Sequence, residues 1–294
     1  AHKNQARAYP LQILVWHEIV NDQISGTPVT VTFCPLCYSA IVFKRTVDGR
    51  NLEFGVSGLL RHSDLVMYDR DTESLWQQLT GEAIVGDMVP ETLERLPAQI
   101  ISYRQFKDSH PHGWVLSRDT GYDRSYGRNP YVGYDNINKK PFLFSGETDS
   151  RLKPMQKLIT VSISGNHQAY PYSVTRRKKV INHQLADVPV AVFHIEGAVS
   201  ALDDRRISRS KQSGSTGVFD RRLDDKTLTL LWKNGKIIDE QTSSTWDITG
   251  QAIKGELKGT RLTPIEHGDY FAFSWLAFRP QTAIYQNSQK DNKK

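Results

Sequence analysis

The sequence predicts a β-rich α+β protein built from two pseudo-symmetric units, each barrel-like or sandwich-like with short helices. The first observation is composition, since aromatic residues make up 10% of the chain and favour strands. The second is the alternation of apolar residues with Thr in Val29-Thr-Val-Thr-Phe33, which is the period of a half-buried strand. The third is that much of the chain occurs twice.

The repeat appears as short matches that keep the same order in both halves of the chain. Ala8-Tyr-Pro10 returns as Ala169-Tyr-Pro171, and Ser74-Leu-Trp76 returns as Ser244-Thr-Trp246. Ordered matches of this kind predict a tandem duplication of a unit of roughly 120 residues. We therefore expect a first repeat at residues 1–118, a linker or arm at 119–157, a second, degenerate repeat at 158–285 and a polar tail at 286–294.

The two repeats differ at their beginnings. The second repeat opens with a strand-like run at residues 159–163, ahead of its Ala-Tyr-Pro. In the first repeat Ala-Tyr-Pro lies too close to residue 1 for such a run to precede it. We expect the N-terminal strand of the first repeat to be missing from this sequence.

Local patterns predict the elements of the first repeat in order. Apolar residues at helical spacing predict a helix over residues 11–21, followed by the strand that ends at Phe33. Asp48-Gly49 is typical of a hairpin turn. Residues 57–64 are expected to form a loop that is longer than its counterpart in the second repeat, before a strand at residues 65–68.

Charge and hydropathy exclude two classes of partner. The net charge is only +6, and the basic clusters are separated by acidic residues, so the sequence does not predict nucleic-acid binding. No apolar run approaches the roughly 20 residues that a membrane-spanning helix needs. The sequence therefore predicts no membrane span in this chain.

Cys34 and Cys37 are the only two cysteines, and a C-x-x-C pair has three possible uses. It can form a disulfide, bind a metal, or fill space as two small apolar side chains. The second repeat carries Ile195 and Ala198 at the corresponding positions, so the fold itself does not require two thiols there. The difference favours a chemical function for the pair, in the first repeat only.

A metal site is our leading hypothesis. A closed zinc site usually has four ligands, often from two cysteine pairs, and no second pair exists, so zinc is the less favoured metal. Two thiolates with one imidazole suit copper(I), which makes copper the preferred metal. The candidate ligands are Cys34, Cys37, His62 and His17. The candidate supporting residues around them are Glu18, Asp64, Met67 and Tyr68.

Three alternatives remain open at this stage. The pair can serve a thiol–disulfide oxidoreductase or redox sensor, although the strand-like residues after Cys37 do not fit a thioredoxin fold. One cysteine can act as a nucleophile, with His17 or His62 as base and Glu18 or Asp64 orienting the ring. The pair can also be a static disulfide in a binding or scaffold protein.

The motif string resembles a bacterial and archaeal family known as a domain of unknown function. The resemblance rests on Phe33-Cys-Pro-Leu-Cys37 and on further runs such as Asp64-Leu-Val-Met-Tyr-Asp-Arg70, and it covers most of the chain. It implies an exported, extracytoplasmic protein, periplasmic or on the cell surface, and no established activity. The function that we expect is copper handling or copper-dependent oxidation, with a small molecule or a metal donor or acceptor protein as partner.

Overall fold

A computed structural model of the chain describes residues 2 and 5–286, so residues 287–294 of the expected tail lie outside the described residues. Strands account for 42% of the residues and helices for 11%. Each of the four α-helices is only seven residues long. The predicted β-rich α+β class is confirmed.

The elements up to residue 115 surround the cysteine pair. The helices are α1 (Leu11–His17) and α2 (Tyr103–Ser109). The strands are β1 (Arg7–Ala8), β2 (Ile19–Ile24), β3 (Thr27–Cys34), β4 (Ser39–Lys44), β5 (Thr46–Val47), β6 (Arg50–Asn51), β7 (Phe54–Arg61), β8 (Asp64–Asp69), β9 (Leu75–Gln77), β10 (Ala83–Val85), β11 (Arg95–Leu96) and β12 (Trp114–Val115).

The elements from residue 157 onward follow a similar order. The helices are α3 (Tyr172–Lys178) and α4 (Ala272–Phe278), with a 3₁₀ turn at Ile207–Arg209. The strands are β13 (Lys157–Ile163), β14 (Asn166–Pro171), β15 (Val180–Leu185), β16 (Val188–Ile195), β17 (Ser215–Asp220), β18 (Arg222–Leu223), β19 (Lys226–Thr227), β20 (Leu230–Lys233), β21 (Lys236–Asp239), β22 (Thr245–Trp246), β23 (Ala252–Lys254), β24 (His267–Phe271) and β25 (Ala283–Ile284).

The larger sheets are open and mainly antiparallel. In the first part of the chain they have the orders β11-β4-β3-β2 and β10-β9-β8-β7. In the second part they have the orders β15-β16-β17, β20-β21-β22-β23 and β24-β13-β14-β25. Within the described residues no sheet closes into a barrel, so the barrel-like alternative is not observed.

The first helix is shorter than its apolar spacing predicts. It ends at His17, where Glu18 adopts a positive φ of 59° and its N–H donates to Leu14 O. The carbonyl of Glu18 then accepts from Phe33 N, which directs the chain into β2 beside β3. The β-branched residues that follow, Ile19 and Val20, are more stable in this strand pairing than in another helical turn.

Residues 57–64 form a hairpin and not a loop. Strand β7 continues to Arg61, β8 begins at Asp64, and only His62 and Ser63, both with positive φ, form the turn. The ladder is irregular between Val56 and Leu60, which marks a bulge. The hairpin therefore projects a rigid tip toward the cysteine pair.

The same buried network occurs in both parts of the chain. Asp69 accepts from Trp76 Nε1 at 2.8 Å and from Thr72 N at 2.7 Å. Asp239 accepts from Trp246 Nε1 and from Thr242 N in the same way, at 2.9 and 2.6 Å. Matching networks are expected if both parts of the chain share one scaffold. The tandem duplication itself stays a prediction.

The segment between the two parts has no helix or strand over residues 116–156, yet it packs closely. Tyr134 and Met155 are buried in the largest apolar cluster, which also contains Phe33, Met67 and Phe271. This core joins both parts of the chain, and the cysteine pair lies within it.

Candidate metal centre

The cysteine pair lies in a short turn between two paired strands. Strand β3 ends at Cys34, which pairs with Ser39 at the beginning of β4. The turn between them closes with a hydrogen bond of 3.3 Å from Cys37 N to Cys34 O, and Tyr38 leaves it with φ at 59°. Because Pro35 has a fixed φ and no N–H, the turn is well suited to hold both sulfurs on one side.

The tip of the β7–β8 hairpin faces this turn. The carbonyl of Ser63 accepts from the Cys37 thiol at 3.4 Å, and Cys34 Sγ lies 3.9 Å from the same oxygen. Asp64 follows, and one of its carboxylate oxygens lies with both sulfurs in a group whose members are all within 4.8 Å of one another. Among the described residues this is the one group of three or more His, Cys, Asp or Glu side chains close enough to share a metal ion.

The carboxyl group of Asp64 is fully buried, and only one of its two oxygens accepts backbone or amide hydrogen bonds. Its Oδ2 accepts from Gln77 Nε2 at 2.5 Å and from Leu79 N at 2.9 Å. Its Oδ1 forms no hydrogen bond of ordinary geometry within the described part of the chain, although the thiols of Cys37 and Cys34 lie near enough to interact with the carboxyl group. Burial raises the pKa of Asp64 to about 6, although the bonds from Leu79 and Gln77 partly oppose this. A buried acceptor without a partner is costly, so a ligand at Oδ1 would be stabilising.

The thiols are buried as deeply as the carboxyl group. Both cysteines are unbridged, and neither has more than 1% of its surface exposed. Burial, the neighbouring Cys34 thiol and the Asp64 charge together raise the pKa of Cys37 well above its usual value. Without a cation this thiol therefore stays neutral, and a metal ion would have to displace its proton.

The donor set fits a cation. Two sulfurs and one carboxylate oxygen converge in a dry site, and the oxygen that lacks a protein partner belongs to the same group. At the positions that the sequence matches to the two cysteines, the connection after β16 has Ile195 and Ala198, whose side chains cannot bind a metal. The structure thus confirms the sequence-based pairing of Cys34 with Cys37 in a possible metal-binding group, and adds Asp64 as the third donor.

The two histidines lie outside this group. His17 Nε2 is 2.5 Å from Tyr126 Oη, and its ring packs against Tyr122 and Tyr126. His62 is next to Ser63 in sequence, but its ring packs between Phe144 and Phe278. Ligation by either histidine stays a prediction.

The other candidate residues lie in different surroundings. Met67 is fully buried in the core and pairs in register with Trp76. Tyr68 stacks with Arg70, which also donates to its Oη at 2.7 Å. Glu18 lies near Asp64, and burial together with the charge of Asp64 raises its pKa to about 7.

Two tyrosines that sequence patterns do not single out cover the site. Tyr134 is buried, donates to Leu36 O at 3.2 Å and interacts electrostatically with both cysteines. Tyr131 is half-buried and interacts with Glu18 and Cys34, and burial raises its pKa to about 12. Both come from the segment without regular structure, where the only sequence signal is a richness in Tyr, Gly and Asn.

Residues of the second part of the chain hydrogen-bond to the cysteine turn and pack against it. Phe271 N donates to Cys37 O at 2.9 Å, and Ser274 Oγ donates to the same oxygen at 3.3 Å. The ring of Tyr38 packs against Phe271 and beneath Lys157 Nζ, which lies 3.7 Å from the ring centroid. The β7–β8 hairpin and the second part of the chain therefore both hold the turn in place.

Comparison with known proteins places the chain in a family without assigning an activity. No curated protein and no solved structure matches it. None of the helices in the described residues has the length and apolar character needed to cross a bilayer. A family model described as "Protein of unknown function (DUF3179)" matches residues 1–282, nearly the whole chain. The chain therefore belongs to the DUF3179 family.

Proposed function

We propose that Cys34, Cys37 and Asp64 form a metal-binding centre in an extracytoplasmic protein that handles copper or uses it for oxidation. The observation that carries the proposal is Asp64 Oδ1, a buried oxygen without a partner beside two buried thiols. A buried carboxylate of this kind is rarely left unsatisfied unless a ligand completes it.

The chemical type of the three donor atoms decides which metals are favoured. Two of the three are sulfurs, and thiolates favour soft ions such as copper(I), which we therefore place first. The carboxylate is a harder donor, and two thiolates with one carboxylate also suit zinc with one position left open, so zinc is second. A bound copper ion would supply either one-electron chemistry or a transferable cargo.

The protein's own residues hold the site dry and release protons as a metal enters. Gln77 and Leu79 fix Oδ2 of Asp64, which leaves Oδ1 available to a ligand. The raised pKa values of Cys37 and Asp64 mean that binding releases protons and weakens as the pH falls. Such a site favours tight retention over rapid exchange with water.

Entry to the site requires the covering segment to move. Tyr134 is tied to the cysteine turn through Leu36 O, and Ser63 Oγ donates to Phe142 O at 2.5 Å. These bonds hold residues 131–144 over the site, so a metal donor or acceptor protein, or a small molecule, would act by displacing them. The extracytoplasmic location rests on the family resemblance of the motif string and is part of the proposal.

Thiol–disulfide exchange is the second candidate, and two unbridged thiols in one turn are its support. Deep burial and the raised pKa of Cys37 count against it, because the thiolate is the reactive species and needs access. The same burial disfavours a cysteine nucleophile. A static disulfide would require the two thiols to be joined, and here they are not.

The test is elemental analysis of protein purified from copper-supplemented and zinc-supplemented cells, with a free-thiol count on each sample. We expect about one metal ion per chain, with both thiols protected from alkylation. Asp64→Asn keeps the shape of the side chain and should weaken binding by more than the roughly 10- to 100-fold cost of an outer-shell change.

Metal-free protein from both cultures, with metal uptake unchanged in Asp64→Asn, would overturn the proposal. If that protein carries a reversibly formed Cys34–Cys37 disulfide, the redox function takes its place. A measured reduction potential then separates a catalytic pair from a structural bridge, which lies below about −300 mV.

A further inference from the structure

A deep groove with a volume of about 1030 Å³ is lined by both parts of the chain, including residues 7–12 and 96–103 of the first and residues 197–199 and 267–269 of the second. We call it the strand groove. Residues 7–10 form one wall, residues 98–102 form the other, and Val31 and Val42 of the central sheet lie at its floor. Its shape is that of a slot between two extended segments.

The same place in the second part of the chain is filled by a strand. Strand β13 lies between β14 and β24 and is antiparallel to both, with Ile159 opposite Tyr170 on one side and Asp269 on the other. Ile159 and Val161 of this strand pack in a cluster with Val192 and Val218 of the adjacent sheet. The strand thus completes one sheet and covers another.

The walls of the strand groove have the contacts of β14 and β24. Strand β1 pairs in parallel with β12, and Leu116 N donates to Ala8 O at 2.9 Å. Likewise β14 pairs in parallel with β25, and Tyr285 N donates to Ala169 O at 2.8 Å. Helix α1 follows the first wall as α3 follows β14, and α2 follows the second wall as α4 follows β24.

The walls also present backbone groups toward the empty slot. On the second wall Ile100 O accepts from Thr216 N, so its polar groups point away from the slot. Successive residues of an extended segment point in opposite directions. The neighbouring Gln99 and Ile101 form no backbone hydrogen bond with the rest of the described chain, and neither does Tyr9 on the first wall. These are the unpaired edges of two strands.

The direction of the chain at its first described residues leads into the slot. His2 lies in the lining of the groove and forms an antiparallel bridge with Gln5, with N–H···O distances of 2.8 and 2.9 Å. Ile163 and Asn166 form the corresponding pair at the end of the β13–β14 hairpin. His2 therefore stands at the edge of the slot, at the hairpin position that Ile163 has in the second part.

We propose that the strand groove binds an extended β-strand supplied by the same polypeptide, joined to the N-terminal side of His2. The strand runs antiparallel to both walls, pairs with Tyr9, Gln99 and Ile101, and places alternate apolar side chains on Val31 and Val42. This is strand addition to two free edges, with backbone pairing and an apolar face contributing together. The inference does not depend on the metal centre.

The test is to add residues Gln-Lys-Leu-Ile-Thr-Val, a copy of residues 156–161, directly before Ala1, which keeps the register of the second hairpin. We expect the backbone amides of Gln99 and Ile101 to exchange with solvent at least about tenfold more slowly, and the melting temperature to rise by several degrees. Size-exclusion chromatography with light scattering should show a monomer.

Two matched controls make the test specific. An extension of the same length with Pro at the Leu and Thr positions cannot pair and should leave exchange unchanged. The variant Ile101→Pro, combined with the active extension, should abolish the protection. Unchanged exchange with the active extension would overturn the proposal, as would protection that appears only in a dimer, since the strand would then come from a second copy.

Discussion

The connections that follow β3 and β16 begin alike and then differ, since the first is a short turn to β4 and the second runs from residue 196 to 214 before β17. In the first, Phe33 N donates to the carbonyl of Glu18, and in the second His194 N donates to the carbonyl of Lys179. The first turn continues with two cysteines, and the second has Ile195 and Ala198 in their places. The comparison teaches that a strand can enter such a connection without thiols, which supports a chemical role for Cys34 and Cys37.

The hairpins β7–β8 and β20–β21 differ in length. Strands β7 and β8 have eight and six residues, whereas β20 and β21 have four each. The longer hairpin brings Asp64 to the sulfurs, and the shorter one ends in Lys233 opposite Lys236. The possible metal-binding group therefore depends on both the longer ladder and the two cysteines.

The largest expected effect comes from giving the first turn the side chains of the second. The double variant Cys34→Ile, Cys37→Ala should lose metal binding completely, because two of the three donors are removed. It should still fold, with some loss of stability, because both replacements are apolar but Ile is larger than Cys in a closely packed core. Elemental analysis and a thermal melt check the two expectations. Full metal occupancy in this variant would show that the centre lies elsewhere.

Two acidic residues of the first part, together with Asp269 of the second, predict that stability depends on pH. Burial raises the pKa of Asp64 from 3.8 to about 6 and that of Glu18 from 4.5 to about 7. A group with a raised pKa in the folded state stabilises below its unfolded value, and this contribution is lost as the pH rises through the folded value. The metal-free protein should thus lose stability between about pH 4 and 7, by about 3 kcal/mol for Asp64 alone.

Urea unfolding of the metal-free protein at several pH values measures this loss. Asp64→Asn and Glu18→Gln should each flatten the pH profile, because neither amide titrates. Lys179 occupies the place of Glu18 in the second part, so Lys179→Gln is the matched control and should leave the profile unchanged. A profile that keeps its full slope in both carboxyl variants would contradict the assignment.

The shared buried network predicts equal effects in the two parts. Asp69→Ala and Asp239→Ala each leave a buried Trp N–H and a Thr N–H without an acceptor, so each should lower the free energy of unfolding by about 2 kcal/mol or more. Chemical denaturation of the two variants checks this. A clearly larger loss of stability in one variant than in the other would show that the two networks are not equivalent.

The smallest effect is expected from the histidines. In this structure the rings of His17 and His62 contact aromatic side chains, so alanine at either position should change metal affinity by less than about tenfold, below the effect of Asp64→Asn. Competition with a chromophoric chelator measures this. A loss at His62 as large as that of Asp64→Asn would restore it as a ligand.

Local patterns were sufficient for much of the fold and for half of the site. Period-two alternation located β3, and a cysteine pair in a turn between strands needs no long-range information. Apolar spacing extended α1 too far, because the positive φ of Glu18 and the pairing of β2 with β3 are set by contacts with distant residues. The hairpin at residues 57–64 was missed because Gly58 and the exposed pair Leu59-Leu60 break the alternation that marks a strand.

The sequence by itself determined the β-rich class, the family and the cysteine pair as the place to look for chemistry. Only the tertiary structure decided that Asp64 is the third donor, that the two histidines face aromatic rings, and that Tyr134 covers the site. The physical reason is that periodicity and turn propensity act between neighbours in sequence. A ligand set depends instead on the register of separate hairpins and on which buried oxygen is left without a partner.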